Sequence, residues 1–228
     1  MSRAQRCALL VGLAVMVVAS TGCNPFAMGY FAGYALGLDK QMSVKVKFPP
    51  SSKIAIVTYA PHSTRIEWGQ VDRELNDRLW QKAKAHMGES NKKYKTTLIP
   101  ATTVYKWLDE HPDWHDMPLE EVAKGLGADF IVFLDIQTMS FFEPRSRFFY
   151  QGHAEVRFKV INVNPEYEGP GLHPEEFLTM DFPTEARPIP ADSVPYTRFR
   201  RQFIERIAEK LSWYFVPHDP QEESKLNF

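Results

Sequence analysis

Two nearly continuous apolar runs constrain the fold of this chain more than any other feature. Lys53–Tyr59 reads Lys-Ile-Ala-Ile-Val-Thr-Tyr, and Phe130–Ile136 reads Phe-Ile-Val-Phe-Leu-Asp-Ile. Short runs rich in Ile and Val, with little polar alternation, are what a strand buried on both faces requires. Between them, Val71, Leu75, Leu79, Ala83 and Met87 recur every four residues. That is the period of an amphipathic helix over about 70–87, with Gly88-Glu89-Ser90-Asn91 as its stop.

The remaining segments fit the same plan. Val44, Val46 and Phe48 alternate with Lys45 and Lys47, predicting a half-exposed strand that ends at Pro49-Pro50. A short strand is expected over 94–99, then a helix capped by Thr102 or Thr103 that carries Val104, Trp107 and Leu108 and stops before Pro112. Pro118 opens a further helix with Leu119, Val122, Ala123 and Leu126 inward, and Gly127 stands at its C-terminal stop. The second buried strand is expected to end near Thr138, and a hairpin follows in which Ala154, Val156, Phe158 and Val160 alternate with charged residues. Leu178, Met180 and Phe182 mark a last strand, and a proline-rich loop over 183–195 leads to the longest helix. Phe199, Phe203, Ile204, Ile207, Ala208, Leu211, Tyr214 and Phe215 form that helix's apolar stripe. The pattern predicts one α/β (α+β) domain over 44–217, with a mixed, partly antiparallel sheet packed by helices and a frayed polar tail at 218–228.

The N-terminus reads as a targeting segment. Arg3 and Arg6 precede an apolar run from Cys7 to Ala19, too short to span a bilayer, and Ser20-Thr21-Gly22-Cys23 follows. That ending resembles a bacterial lipobox, with Gly22 and Cys23 in place and Ser20 where the pattern usually has Leu. The resemblance implies a signal peptide over 1–22 and diacylglycerol plus N-acyl lipid on Cys23. The alternatives are ordinary cleavage after Ala19 or an uncleaved anchor. Loss of 1–22 removes Arg3 and Arg6 and no acids, taking the net charge from −1 to −3. Residues 23–43 then form a lipidated tether, in which Gly29, Gly33 and Gly37 fall four apart in an apolar stretch. It reads as a loose linker or as a short helix at the membrane surface.

Composition excludes several function classes. Twenty-seven basic residues against 28 acidic ones leave no field for nucleic acid. A mean hydropathy of −0.34 with one long apolar run excludes a multi-span membrane protein. Cys7 and Cys23 are the only cysteines, so a disulfide scaffold and a cysteine nucleophile are both excluded from the mature domain. No Gly-x-Ser-x-Gly elbow, P-loop or dinucleotide fingerprint occurs, and no small-molecule substrate or cofactor is evident. His111, Asp113 and His115 could hold a divalent metal if a turn aimed them at one point, or they form a polar loop between helices. Phe141, Phe142, Phe148, Phe149 and Tyr150 flank Arg145 and Arg147 around a hairpin tip. Aromatics beside arginines suit a partner-binding surface, and they would equally serve to cover the end of the sheet.

The segment Leu126-Gly127-Ala128-Asp129-Phe130-Ile131-Val132 leading into a strand and hairpin, with Lys53–Val57 as opening strand, resembles the periplasmic lipoprotein domains of the curli-secretion CsgG type, the penicillin-binding-protein activator LpoB and the TolB N-terminal domain. It is also similar to an uncharacterised group of bacterial lipoproteins with the same lipidated start and the ending Phe215-Val216-Pro217-His218. The likeness covers roughly 50–215 and implies fold more than activity. Together with the residues, it leads to the expectation of a non-enzymatic module of the cell envelope, held on the membrane (outer, facing the periplasm) by its lipid and binding another envelope protein. A subunit of a curli-type secretion channel is the alternative, and a metal-dependent enzyme ranks below both.

Overall fold

A computed structural model describes residues 44–90, 96–167, 175–184 and 187–218, with side chains 86–90 excluded. The chain divides into Met1–Gln41 and Met42–Phe228, and every described residue belongs to the second unit. The signal segment, Cys23, the glycine-spaced stretch 26–38, the expected stop residue Asn91 and the tail beyond His218 lie outside the described residues, as does the side chain of Met87.

The first apolar run forms strand β1 (Lys53–Tyr59), followed by α1 (His62–Trp68), α2 (Val71–Ser90), β2 (Thr97–Leu98), α3 (Ala101–Glu110) and α4 (Leu119–Leu126). The second run opens β3 (Phe130–Glu143), and β4 (Ser146–Asn162), β5 (Glu176–Phe182), β6 (Ile189–Pro190) and α5 (Tyr196–Ser212) complete the order. The strands lie in the order β2-β1-β3-β4-β5, with β6 also paired to β4. β1 runs parallel to β2 and β3, whereas β4 is antiparallel to β3, β5 and β6. The sheet is therefore mixed, and the domain is α/β.

Alternate side chains of β1 explain why its whole run is apolar. Ile54 and Ile56 join a core built with Trp68, with Val71, Leu75, Leu79 and Ala83 of α2, and with Phe199, Phe203, Ile204, Ile207 and Leu211 of α5. Ala55 and Val57 face the opposite way, into a smaller core with Val104 of α3 and Val122 and Ala123 of α4. Helices thus cover both faces at β1. Over Glu155–Lys159 of β4 only one face is covered, and the other side alternates Glu155, Arg157 and the exposed Lys159. Lys82 ties α2 to α5 through Glu205 and Glu209, each at 2.7 Å.

Several boundaries differ from the sequence expectation. Val44–Phe48 is not a strand: Val46 is buried, but its backbone bond, from Val46 N to Tyr214 O (2.8 Å), belongs to no ladder. α2 passes through Gly88 and reaches Ser90. α3 begins at Ala101 behind Pro100, so neither Thr102 nor Thr103 caps it. The expected strand over 94–99 is, within the described residues, two residues long. Tyr214 and Phe215 lie past the end of α5. Gly127 does stop α4, at φ 65°, where its missing Cβ removes the steric cost of a left-handed residue.

The candidate site at the hairpin tip

The hairpin that carries the candidate residues is longer than the sequence suggests, with 14 residues in β3 and 17 in β4. Glu143 pairs with Ser146, leaving Pro144 and Arg145 as the turn, where proline supplies a φ suited to the bend. The next pair is Phe142 with Tyr150, so Arg147, Phe148 and Phe149 are extra residues on the β4 side. Such a bulge re-aims side chains out of the regular ladder. It is held in place, since Phe149 and Tyr150 pair with Pro190 and Ile189, and Ala191 N donates to Phe148 O at 2.8 Å.

The seven candidate residues divide by burial into anchors and displayed groups. Phe141 is 0% exposed and makes edge contacts with Trp68 (5.1 Å between centroids), Tyr196 (5.8 Å) and Phe203 (5.8 Å). Phe142 is half-buried and stacks on Tyr196 at 5.7 Å and 7°. Tyr150 is buried and stacks on Phe199 at 4.8 Å. These three fasten the hairpin to α5 and to Trp68. Phe148 is 80% exposed and Phe149 41%, and Arg145 is exposed on the turn. Arg147 lies over the rings of Phe142 (5.0 Å) and Trp68 (5.7 Å), with Glu67 Oε1 at 3.4 Å.

That last contact adds α1, a helix the sequence reading missed. Its Ile66 is 72% exposed, and neighbouring Glu67 meets the hairpin through Arg147. Pro61 directly before His62 was the available signal for a helix start. Arg145, Arg147, Phe148, Phe149 and Ile66 therefore sit at one end of the fold on backbone fixed by packing beneath them.

The histidine loop is arranged differently. His111 stacks on Trp107 at 4.1 Å and donates from Nδ1 to Trp107 O at 2.8 Å. His115 stacks on Tyr59 at 6.0 Å and lies 3.4 Å from Asp116, while Asp113 precedes the 3-10 turn Trp114–Asp116. Each ring is occupied by its own aromatic neighbour, and no three His, Cys, Asp or Glu side chains gather as a ligand set among the described residues. Elsewhere, Arg157 bridges Asp135 (2.5 Å) and Glu175 (3.3 Å) on the open sheet face, and the Asp135 carboxylate raises its pKa further. Between helices and sheet, Thr58 donates to Asn76 (3.0 Å), Asn76 to Tyr105 (3.2 Å) and Tyr105 to Asp77 (2.7 Å). Burial, and next the Asp77 carboxylate, push the Tyr105 phenol well above the usual tyrosine range. These groups are paired internally and read as structural.

No protein-family model matches the chain, and no curated protein matches it. Solved structures similar to it include the hypothetical protein CT253 from Chlamydia trachomatis, at 15% identity over 72% of this chain and 97% of that one, with a TM-score of 0.37. The lipoprotein GNA1162 from Neisseria meningitidis is similar at 8% identity over 71% and 98%, TM-score 0.39. A PelC dodecamer structure from Paraburkholderia phytofirmans is similar at 10% identity over 78% and 97%, TM-score 0.39. Likenesses this distant assign neither a family nor an activity. Among the described residues, no helix is long and apolar enough to cross a membrane.

Proposed function

We propose that the chain is a membrane-tethered, non-enzymatic protein-binding module of the bacterial cell envelope, anchored by lipid on Cys23 and contacting its partner through the β3–β4 hairpin tip. The tether rests on the sequence Arg3, Arg6, apolar run, Gly22-Cys23. The observation that carries the binding role is Phe148, a large aromatic left 80% exposed on a backbone that packing and β6 hold rigid. Exposing a phenylalanine forgoes roughly 1.5–3 kcal/mol of burial, which a partner recovers when it covers the ring. A fixed ring also loses little entropy on docking.

The experiment is affinity capture from crosslinked envelopes with wild-type protein and with Phe148 and Phe149 both replaced by Ala. The reading expects a partner that the double variant loses while its melting temperature stays unchanged. Equal recovery by both proteins overturns the site assignment. Treatment with a lipoprotein signal-peptidase inhibitor tests the anchor separately, because the precursor should then accumulate.

A further inference from the structure

We propose that β5 is a dimerisation edge, pairing antiparallel with β5 of a second copy of this chain about a twofold axis at Thr179. This surface is separate from the hairpin tip and goes beyond the binding role given above.

β5 ends the path β2-β1-β3-β4-β5, so one of its edges meets β4 and, among the described residues, no strand pairs with the other. Natural sheets blunt a free edge with proline, lysine, a bulge or shortness. β2, at the opposite side, is two residues long, and β6, which pairs with β4 beyond the end of β5, contains Pro190. β5 has none of these devices. Its seven residues, Glu-Phe-Leu-Thr-Met-Asp-Phe, hold neither proline nor lysine and pair with β4 without a register shift. Phe177, its second residue, is 62% exposed opposite Arg157.

The occupant follows from what this edge matches. Pairing all seven residues with the same seven of a copy sets Thr179 against Thr179, Phe177 against Asp181, Leu178 against Met180 and Glu176 against Phe182. No like charges stand directly opposite, and a Thr–Thr pair is favourable across strands. Other registers are poorer. A twofold at Leu178 sets Glu175 against Asp181, one at Met180 brings Pro183 into the ladder without an N–H, and one at Phe177 runs Met180–Phe182 past the start of the strand. In the full register Glu175 and Asp181 of the copy are diagonal neighbours at about 7–8 Å. Both carboxylates are already held, Glu175 by Arg157 (3.3 Å) and Asp181 by His153 (2.8 Å). Leu178 and Met180 lie on the core face, so their contact extends the apolar core across the axis. β2 is too short to receive β5, which disfavours head-to-tail chains and leaves a closed dimer.

The test uses the full chain purified in detergent, without other proteins. Opposed Cα atoms in an antiparallel pair are about 4.5–5.5 Å apart, within disulfide reach, whereas two copies of residue 177 would be about 14 Å apart. On oxidation Thr179→Cys is expected to give a covalent dimer. Phe177→Cys and Asp181→Cys should each give less than a tenth of that yield alone, and a dimer again when mixed. The unsubstituted chain, with Cys7 and Cys23, sets the background. Thr179→Lys opposes two lysines at an exposed position and should weaken dimerisation at least tenfold by sedimentation equilibrium, with the circular dichroism spectrum unchanged. Phe148→Ala should leave dimerisation unaltered. A monomeric wild type at micromolar concentration, the result if this chain's own residues or another protein's strand cover the edge, overturns the proposal. Equal cross-linking from Phe177→Cys and Thr179→Cys, or dimerisation indifferent to Thr179→Lys, overturns it too.

Discussion

Replacing Phe141 by alanine should do to stability what replacing Phe148 does not, although the two residues flank the same turn. Phe141 is fully buried and touches Trp68, Tyr196 and Phe203 edge to face, so truncation removes apolar burial, leaves a cavity and deletes three ring contacts. Phenylalanine-to-alanine changes in cores cost about 3–5 kcal/mol. Phe148, 80% exposed, belongs with surface positions whose substitution stays within about 0.5 kcal/mol. With a urea m-value of about 2 kcal/mol/M, Phe141→Ala should lower the unfolding midpoint by roughly 1.5–2.5 M, and Phe148→Ala by less than about 0.3 M. Urea titration followed by tryptophan fluorescence reads both, since Trp68 lies 5.1 Å from the Phe141 ring. Equal midpoints for the two variants, or a larger drop for Phe148→Ala, would refute the division of the hairpin into anchors and displayed residues.

Three further outcomes are expected. Gly152 lies under Phe203, where an added Cβ would come within 2.7 Å of the ring, so Gly152→Ala should cost about 1–3 kcal/mol of stability by overpacking, read as a drop in Tm by calorimetry. Tyr105→Phe leaves Asn76 and Asp77 without their phenol partner and should cost about 1–3 kcal/mol, checked by the same scan. Burial raises the Asp72 pKa above its ordinary 3.8, so as pH rises the unfolded chain releases that proton first and the wild type loses stability across the window from 3.8 upward. Asp72→Asn carries no such proton and should be more stable than wild type at pH 7 but not below pH 3.8; a gap independent of pH would contradict the sign.

How much of this could be read from the sequence depends on what each pattern measures. Lys53–Tyr59 is the strand it looked like, because a run buried on both faces leaves a signature in every residue. α5 was equally legible from its broad stripe, and Gly127 from the turn it stops. Alternation over Val44–Phe48 correctly reports that Val46 is buried, yet burial alternation does not supply a neighbouring strand. The underestimate of β3 has a definite cause. Inward residues run Phe130, Val132, Leu134, Ile136 and then Met139, Phe141, because a bulge between Ile136 and Thr138 shifts the phase by one. A period-two pattern therefore breaks off where the strand continues. A second irregularity hid the site's structure. The aromatic–arginine cluster was visible as composition, but its division into buried Phe141 and Tyr150 against exposed Phe148 depends on the three-residue bulge at 147–149. α1 escaped notice because Trp68 is its one buried residue, too few to make a stripe.

The central claim is that the domain binds another protein through the β3–β4 hairpin tip. Site-specific photocrosslinking in living cells tests this most directly, with a photoreactive phenylalanine analogue placed at residue 148 in one strain and at residue 47 in another. The account predicts a discrete crosslinked protein from position 148, suppressed by Arg145→Glu, and none from position 47. The same crosslink from both positions, or one from position 47 alone, would contradict it.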